Sequence, residues 1–137
     1  MELETTQKYE TELGTIAWER LSTQVDQLAA AWASDDLPPD LSQFVPAERS
    51  ALRRLLLVEL IKMDLEFRWL QHELPKRIEE YVEEFPDLAD RGEVPCDLIY
   101  EEFHIRSQTP EPPRLDEYLE RFPQQADQIK RLLNIQT

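Results

Sequence analysis

Proline placement constrains this chain more than any other feature. Ten prolines, at 38, 39, 46, 75, 86, 95, 110, 112, 113 and 123, cut up a sequence otherwise rich in Leu, Glu and Arg. Proline lacks an amide donor and excludes its predecessor from helical geometry, so it stops helices, yet it is welcome in a first turn. Between these stops, apolar residues recur at three- and four-residue steps, and no useful run alternates with period two. The expectation is an all-α fold of six or seven helices, most of them short. With Gly14 and Gly92 the only glycines, neither G-x-G-x-x-G nor G-x-x-x-x-G-K-[ST] can be written, which excludes phosphate-cradling loops of those kinds.

The first periodic stretch, about Ile16 to Ala33, carries Trp18, Leu21, Val25, Leu28 and Trp32 on one predicted helix face, and Pro38 and Pro39 end it. The longest segment, Ala47 to about Gln71, has a stripe of Leu52, Leu56, Leu60, Met63, Phe67 and Leu70. Leu55, Leu57, Val58, Ile61, Leu65 and Trp69 widen that stripe. A helix so apolar around its girth is expected to be sandwiched and to serve as the spine. Short helices follow over Lys76–Glu84, from Pro95 through Leu98, Ile99, Phe103 and Ile105, over Arg114–Arg121, and over Gln124–Asn134.

A repeat with an offset of 37 lies inside this pattern. Pro75-Lys76-Arg77-Ile78-Glu79-Glu80-Tyr81-Val82-Glu83-Glu84-Phe85-Pro86 aligns with Pro112-Pro113-Arg114-Leu115-Asp116-Glu117-Tyr118-Leu119-Glu120-Arg121-Phe122-Pro123. A truncated earlier copy retains Pro38, Leu41, Phe44 and Val45, with Trp32 matching Trp69. Units this small cannot bury their own apolar faces and are expected to stack. The length of 137 residues predicts one domain, with 1–15 flexible and repeat-like units at about 26–61, 62–98 and 99–135.

Charge narrows the partners. At a net charge of -14, binding to a phosphate backbone or to an anionic membrane is opposed, so neither nucleic acid nor membrane is expected. The N-terminus has neither a basic nor an apolar leader region, and a cytoplasmic location is expected. Residues 76–103 hold ten acids against three bases, a net -7. That clustering suggests an acidic docking surface for a basic protein partner, on Glu79, Glu80, Glu83, Glu84, Glu101 and Glu102, with Arg49, Arg53 and Arg54 as internal counter-charge.

No catalytic or cofactor set emerges. Glu101 and His104 have the i, i+3 spacing of a di-iron helix, but the only other histidine, His72, has Trp69 three residues before it. His72-Glu73 resembles the start of a zinc-protease helix without its second histidine. Cys96, the single cysteine, sits near a predicted helix start with no histidine tied to it and is expected to pack. The paired aromatics Trp32 and Trp69, Tyr81 and Tyr118, and Phe85 and Phe122 are expected in the core.

Leu65-Glu66-Phe67-Arg68-Trp69, the helix from Pro75 to Phe85-Pro86, Val94 through Phe103, and Pro113 through Pro123 together resemble a known region. It is the non-catalytic N-terminal region of large bacterial eukaryotic-type serine/threonine protein kinases. The resemblance spans roughly residues 24–135. It implies a regulatory or partner-docking module whose partner is the kinase domain, its substrate or a basic protein. It implies no enzyme activity in this chain, since no glycine-rich loop, His-Arg-Asp or Asp-Phe-Gly motif is present. Where that family commonly has a glycine before the proline, this chain has Asp36-Leu37, His72-Glu73-Leu74 and Gln108-Thr109-Pro110-Glu111. The alternative class is a stand-alone acidic inhibitor or adaptor, anti-sigma-like, that covers a basic surface. Oligomeric state stays open.

Overall fold

The computed structural model describes residues 2–34 and 38–134, with side chains described over 14–34 and 38–133. About 72% of the chain is helical. Among the described residues no strand forms, the single isolated bridge joins Asp90 and Glu93, and no helix is long and apolar enough to cross a membrane. The protein is all-α. It divides into two compact units, residues 1–60 and 61–137, with the boundary inside one helix.

In the first unit, α1 (Glu2–Trp32) begins well before the predicted Ile16. The flexibility expected of residues 1–15 falls mostly on side chains outside the described residues. The predicted face is buried at only one end. Leu28 and Trp32 are sealed off, whereas Trp18 is 68% exposed. Past the described gap, Asp40 caps a 3-10 turn over Leu41–Phe44, accepting hydrogen bonds from the Ser42 amide (3.0 Å) and hydroxyl (2.7 Å). Pro46 leaves this segment only one turn long.

The spine helix, α2 (Ala51–Glu66), starts four residues later than expected. Ser50 explains the shift: its hydroxyl accepts the Arg53 amide at 3.1 Å, the geometry of an N-cap. Leu56, Leu57, Leu60, Ile61, Asp64 and Leu65 are fully buried along one face. Leu55 and Leu70, at 42% and 37% exposure, are not, so the apolar girth overstates what is covered.

Beyond Glu66 the helix widens into a π-helical segment, Phe67–His72, which ends on Glu73 in the left-handed conformation (φ 51°, ψ 42°). The Leu74 amide closes the end by bonding back to the Arg68 carbonyl at 3.0 Å. A left-handed backbone costs a residue with a Cβ about 1–2 kcal/mol, and glycine escapes that cost at some expense in chain entropy. Glu73→Gly is therefore expected to stabilise the protein by about 0.5–1 kcal/mol. An unchanged or lowered urea midpoint would contradict this account.

The second unit comprises the end of α2, α3 (Ile78–Glu84), α4 (Cys96–Arg106), α5 (Leu115–Arg121) and α6 (Ala126–Asn134). Helix α4 packs on α3, α6 and the π-helical segment, and α5 packs on α6. Ile78, Tyr81, Phe85, Leu88, Leu98, Ile99, Ile105, Tyr118, Phe122, Ile129 and Leu133 form its apolar interior.

Helices α3 and α5 match in detail. Each has seven residues and follows an extended arginine, Arg77 (φ -100°, ψ 159°) or Arg114 (φ -103°, ψ 150°). Each stops at a phenylalanine whose amide returns to the tyrosine carbonyl four residues earlier, and a 3-10 turn opening with proline comes next. The proline after Phe85 and Phe122 bars both from helical geometry, so the stop is local and steric.

Between α3 and α4, Arg91 (φ 54°) and Gly92 (φ 79°) make a two-residue turn that closes the Asp90–Glu93 bridge. Two successive positive φ angles suit glycine best. Close approach adds a second constraint, since a Cβ on Gly92 would meet the Gln124 side chain at 3.1 Å. The adjoining loop is anchored by Gln125, whose buried amide accepts from the Val94 N–H (3.0 Å) and donates to the Val94 carbonyl (2.8 Å).

Candidate functional site

The chemistry-bearing residues of the second unit gather in two polar clusters and one groove. The first cluster is set by Asp64, which lies on the buried face of α2 and is fully enclosed. Arg68, one turn later, donates from Nε to its carboxylate at 2.7 Å. The Tyr81 hydroxyl, brought by α3, donates to the same oxygen at 2.5 Å. Burial, and then the Asp64 charge, push the Tyr81 phenol well above its ordinary pKa.

The second cluster has the same parts on the next pair of helices. Glu102 of α4 is fully buried, Arg106 lies one turn later, and the Tyr118 hydroxyl of α5 donates to Glu102 at 3.2 Å. Arg121 adds a bidentate clamp on Glu102 (2.7 and 3.0 Å) and a second clamp on Glu79 (2.8 and 2.5 Å). Glu117 lies between the arginines, accepting from Arg106 through both oxygens and from Arg121 at 3.0 Å. Glu102 also accepts the Ile78 amide at 3.1 Å, which binds the start of α3 into the network.

The protonation states follow from these bonds. Hydrogen bonding from Arg106 holds the Glu117 carboxyl below the usual carboxylate range against the opposing effect of partial burial. At Glu79, burial acts upward, but the Arg121 contacts prevail and the carboxyl also stays low. Burial opposes charge on Arg121, yet Glu79 and Glu102 keep it firmly protonated. Glu79, Glu102 and Glu117 thus share the guanidiniums of Arg106 and Arg121, and the buried Arg106 Nε has no hydrogen-bond partner among the described residues.

The predicted docking residues separate accordingly. Glu102 was expected on the surface and is instead 0% exposed, because it is the acceptor at the centre of the α3–α4–α5 network. Glu79 is half-exposed and held by Arg121, and Glu84 is paired with Lys76 at 2.5 Å. Glu80 is exposed, and its carboxylate accepts the Arg77 amide at 2.7 Å, which caps α3. Glu83 is exposed and Glu101 partly so. Arg53, expected as counter-charge, donates to the Pro46 carbonyl at 2.6 Å.

The other candidates have structural surroundings. The exposed His104 ring stacks on Tyr100 with centroids 5.8 Å apart, and His72 lies against Phe67 at 6.5 Å. The Cys96 thiol donates to the Gln128 amide oxygen at 3.2 Å. Among the described residues, no three His, Cys, Asp or Glu side chains converge as metal ligands would.

Beside the second cluster lies a groove of about 570 Å³, lined among others by Trp69, Leu70, Pro75, Arg77, Arg106 and Thr109. Trp69 is fixed by its indole N–H, which donates to the Lys76 carbonyl at 3.0 Å, and the Arg106 guanidinium lies 5.2 Å over its ring. Glu73 and Glu111 balance the two arginines. The groove is within the size range of small-ligand pockets, but its charges cancel, and no nucleophile is paired with a base there.

Sequence reading missed Asp64, Arg68, Arg106 and Arg121 as partners. A signal was present: an acid interrupting the apolar stripe of a helix, with arginine four residues on, occurs at both 64/68 and 102/106. An all-α protein with a buried ion network and an exposed acidic surface is the class that fold and site define. No family model, characterised protein or solved structure matches the chain.

Proposed function

We propose that the chain is a non-catalytic protein-interaction module, cytoplasmic, and a regulatory or docking element of a bacterial serine/threonine protein kinase. One observation carries the interaction reading. The buried carboxylates Asp64 and Glu102 are consumed in cross-linking helices, while Glu79, Glu80, Glu83 and Glu84 of α3 stay at the surface. Such an arrangement makes a rigid body with a negative face, suited to a basic partner and unsuited to acid–base chemistry. Kinase association is supported by the resemblance over roughly residues 24–135 alone.

The rigid body is built from a repeated device: a helix bearing acid and arginine one turn apart, then a short helix whose tyrosine bonds the acid. Asp64, Arg68 and Tyr81 form one copy, and Glu102, Arg106 and Tyr118 the other. In the truncated first copy Phe44 replaces the tyrosine and has no hydroxyl to satisfy.

Two experiments test the function. An immunoblot of source-cell lysate with antibody to this chain should show a band far above 16.3 kDa that co-purifies with protein kinase activity. A band at 16.3 kDa would instead favour the free-standing adaptor or inhibitor. For the docking face, Glu80→Lys with Glu83→Lys is expected to weaken capture of the basic partner roughly tenfold and to flatten its salt dependence. Unchanged capture by the folded variant would remove α3 from the interface.

A further inference from the structure

We infer that the groove beside Trp69 binds an extended basic segment of a partner protein, which passes over Arg106 into the adjoining hollow. The inference rests on the reading of this chain as a docking module for a basic partner, and it names the site and the form the partner takes there. The adjoining hollow, of about 400 Å³, shares Arg106 and Glu111 with the groove and is also lined by Pro112, Arg114, Asp116 and Glu120. Both lie within the second unit. Two hollows with a common wall suit an elongated occupant, a chain in extended form rather than a compact small molecule.

Charge selects the sign of that occupant. Charges cancel in the groove alone, but the two hollows together hold Glu73, Glu111, Asp116, Glu117 and Glu120 against Arg77, Arg106 and Arg114. Glu117 is already spent on Arg106. The other four carboxylates are exposed and make no hydrogen bond or ion pair among the described residues. Four open acids against two arginines attract lysine and arginine side chains and repel phosphates. The floor supplies the remaining contacts. Trp69, Leu70, Pro75 and Pro110 offer apolar surface to the stems of such side chains. Arg106, whose side chain is only 9% exposed, lines both hollows, and its Nε is a buried donor without an acceptor. A backbone carbonyl passing over Arg106 is the neutral acceptor this donor lacks, and an extended chain carries one at every residue.

A phage-displayed library of random dodecapeptides, selected on the purified full chain, tests the site. Sequences rich in lysine and arginine are expected to be enriched. The most enriched of them, made as a fluorescein-labelled peptide, should bind Glu73→Lys with Glu111→Lys about tenfold more weakly than the wild type. Both side chains are exposed and unbonded, so an unchanged circular dichroism spectrum is expected. Glu80→Lys with Glu83→Lys on α3 changes the net charge equally but lies outside both hollows, so it should bind the same peptide within about twofold of the wild type. No enrichment, enrichment of acidic or uncharged peptides, or undiminished binding by the folded groove variant overturns the site. A peptide that loses affinity only for the α3 variant overturns it too, yet leaves the docking reading standing.

Discussion

Replacing Arg121 by methionine is expected to destabilise the protein by about 3–5 kcal/mol, a large share of the roughly 5–15 kcal/mol that holds a domain together. Arg121 makes the bidentate contact to Glu102, a carboxylate with no exposure to water. Without it, Glu102 retains Arg106 at 3.4 Å, the Tyr118 hydroxyl and one backbone amide, too few partners to replace hydration of a buried anion. Urea unfolding followed by circular dichroism gives the number. Glu79→Gln removes the other acid held by Arg121, but that side chain is 47% exposed, so a loss of only about 1 kcal/mol is expected. Adding Glu102→Gln to Arg121→Met should recover part of the deficit, because it removes the stranded charge. A loss below about 1 kcal/mol for Arg121→Met would show that the network contributes little to folding.

High pH is the second severe test. The buried Tyr81 and Tyr118 phenols have pKa values raised above the unfolded value of about 10. Above pH 10 the unfolded chain therefore loses protons that the folded protein retains, and stability falls as pH rises. Each tyrosine contributes about 1.4 kcal/mol per pH unit while only the unfolded state ionises, so the pair removes about 5 kcal/mol by pH 12. Below pH 10 neither phenol adds any slope. Tyr81→Phe should roughly halve the slope above pH 10, although it also lowers stability at neutral pH by taking a donor from Asp64. A slope identical to that of the wild type would mean that Tyr81 is not protected in the folded state.

Much of the fold could be read directly. Helix stops at Phe85 and Phe122 follow from the proline after each, a constraint that acts between neighbours and needs no tertiary context. Helices α3 and α5 each span seven residues and stop at a phenylalanine followed by proline. Helix starts were less legible: α2 begins at Ala51 because of a single hydroxyl contact from Ser50.

The polar clusters were not legible, and a one-residue shift explains why. Tyr81 is 37 residues before Tyr118, but Asp64 and Arg68 are 38 before Glu102 and Arg106, so a fixed offset never aligns the partners. The connections between them differ too. After Arg68 the helix continues through a π-helical segment to His72, whereas α4 ends at Arg106 itself. Glu102 looked like one more surface acid in the run Glu101-Glu102, although Arg106 four residues on sets it apart from Glu101. Helical rotation turns the second into the interior.

The sequence by itself determined the helical class, the proline stops and the strongly acidic balance, because period, ring geometry and charge count are properties of neighbouring residues or of composition. Only the tertiary structure decided which charges are structural and which face water. That choice depends on which helix faces meet: Arg121 and Glu79, 42 residues apart, and Arg121 and Glu102, 19 apart, become partners only when α3, α4 and α5 pack together. A buried ion pair is stable only at contact distance, and no rule of local spacing brings those atoms there.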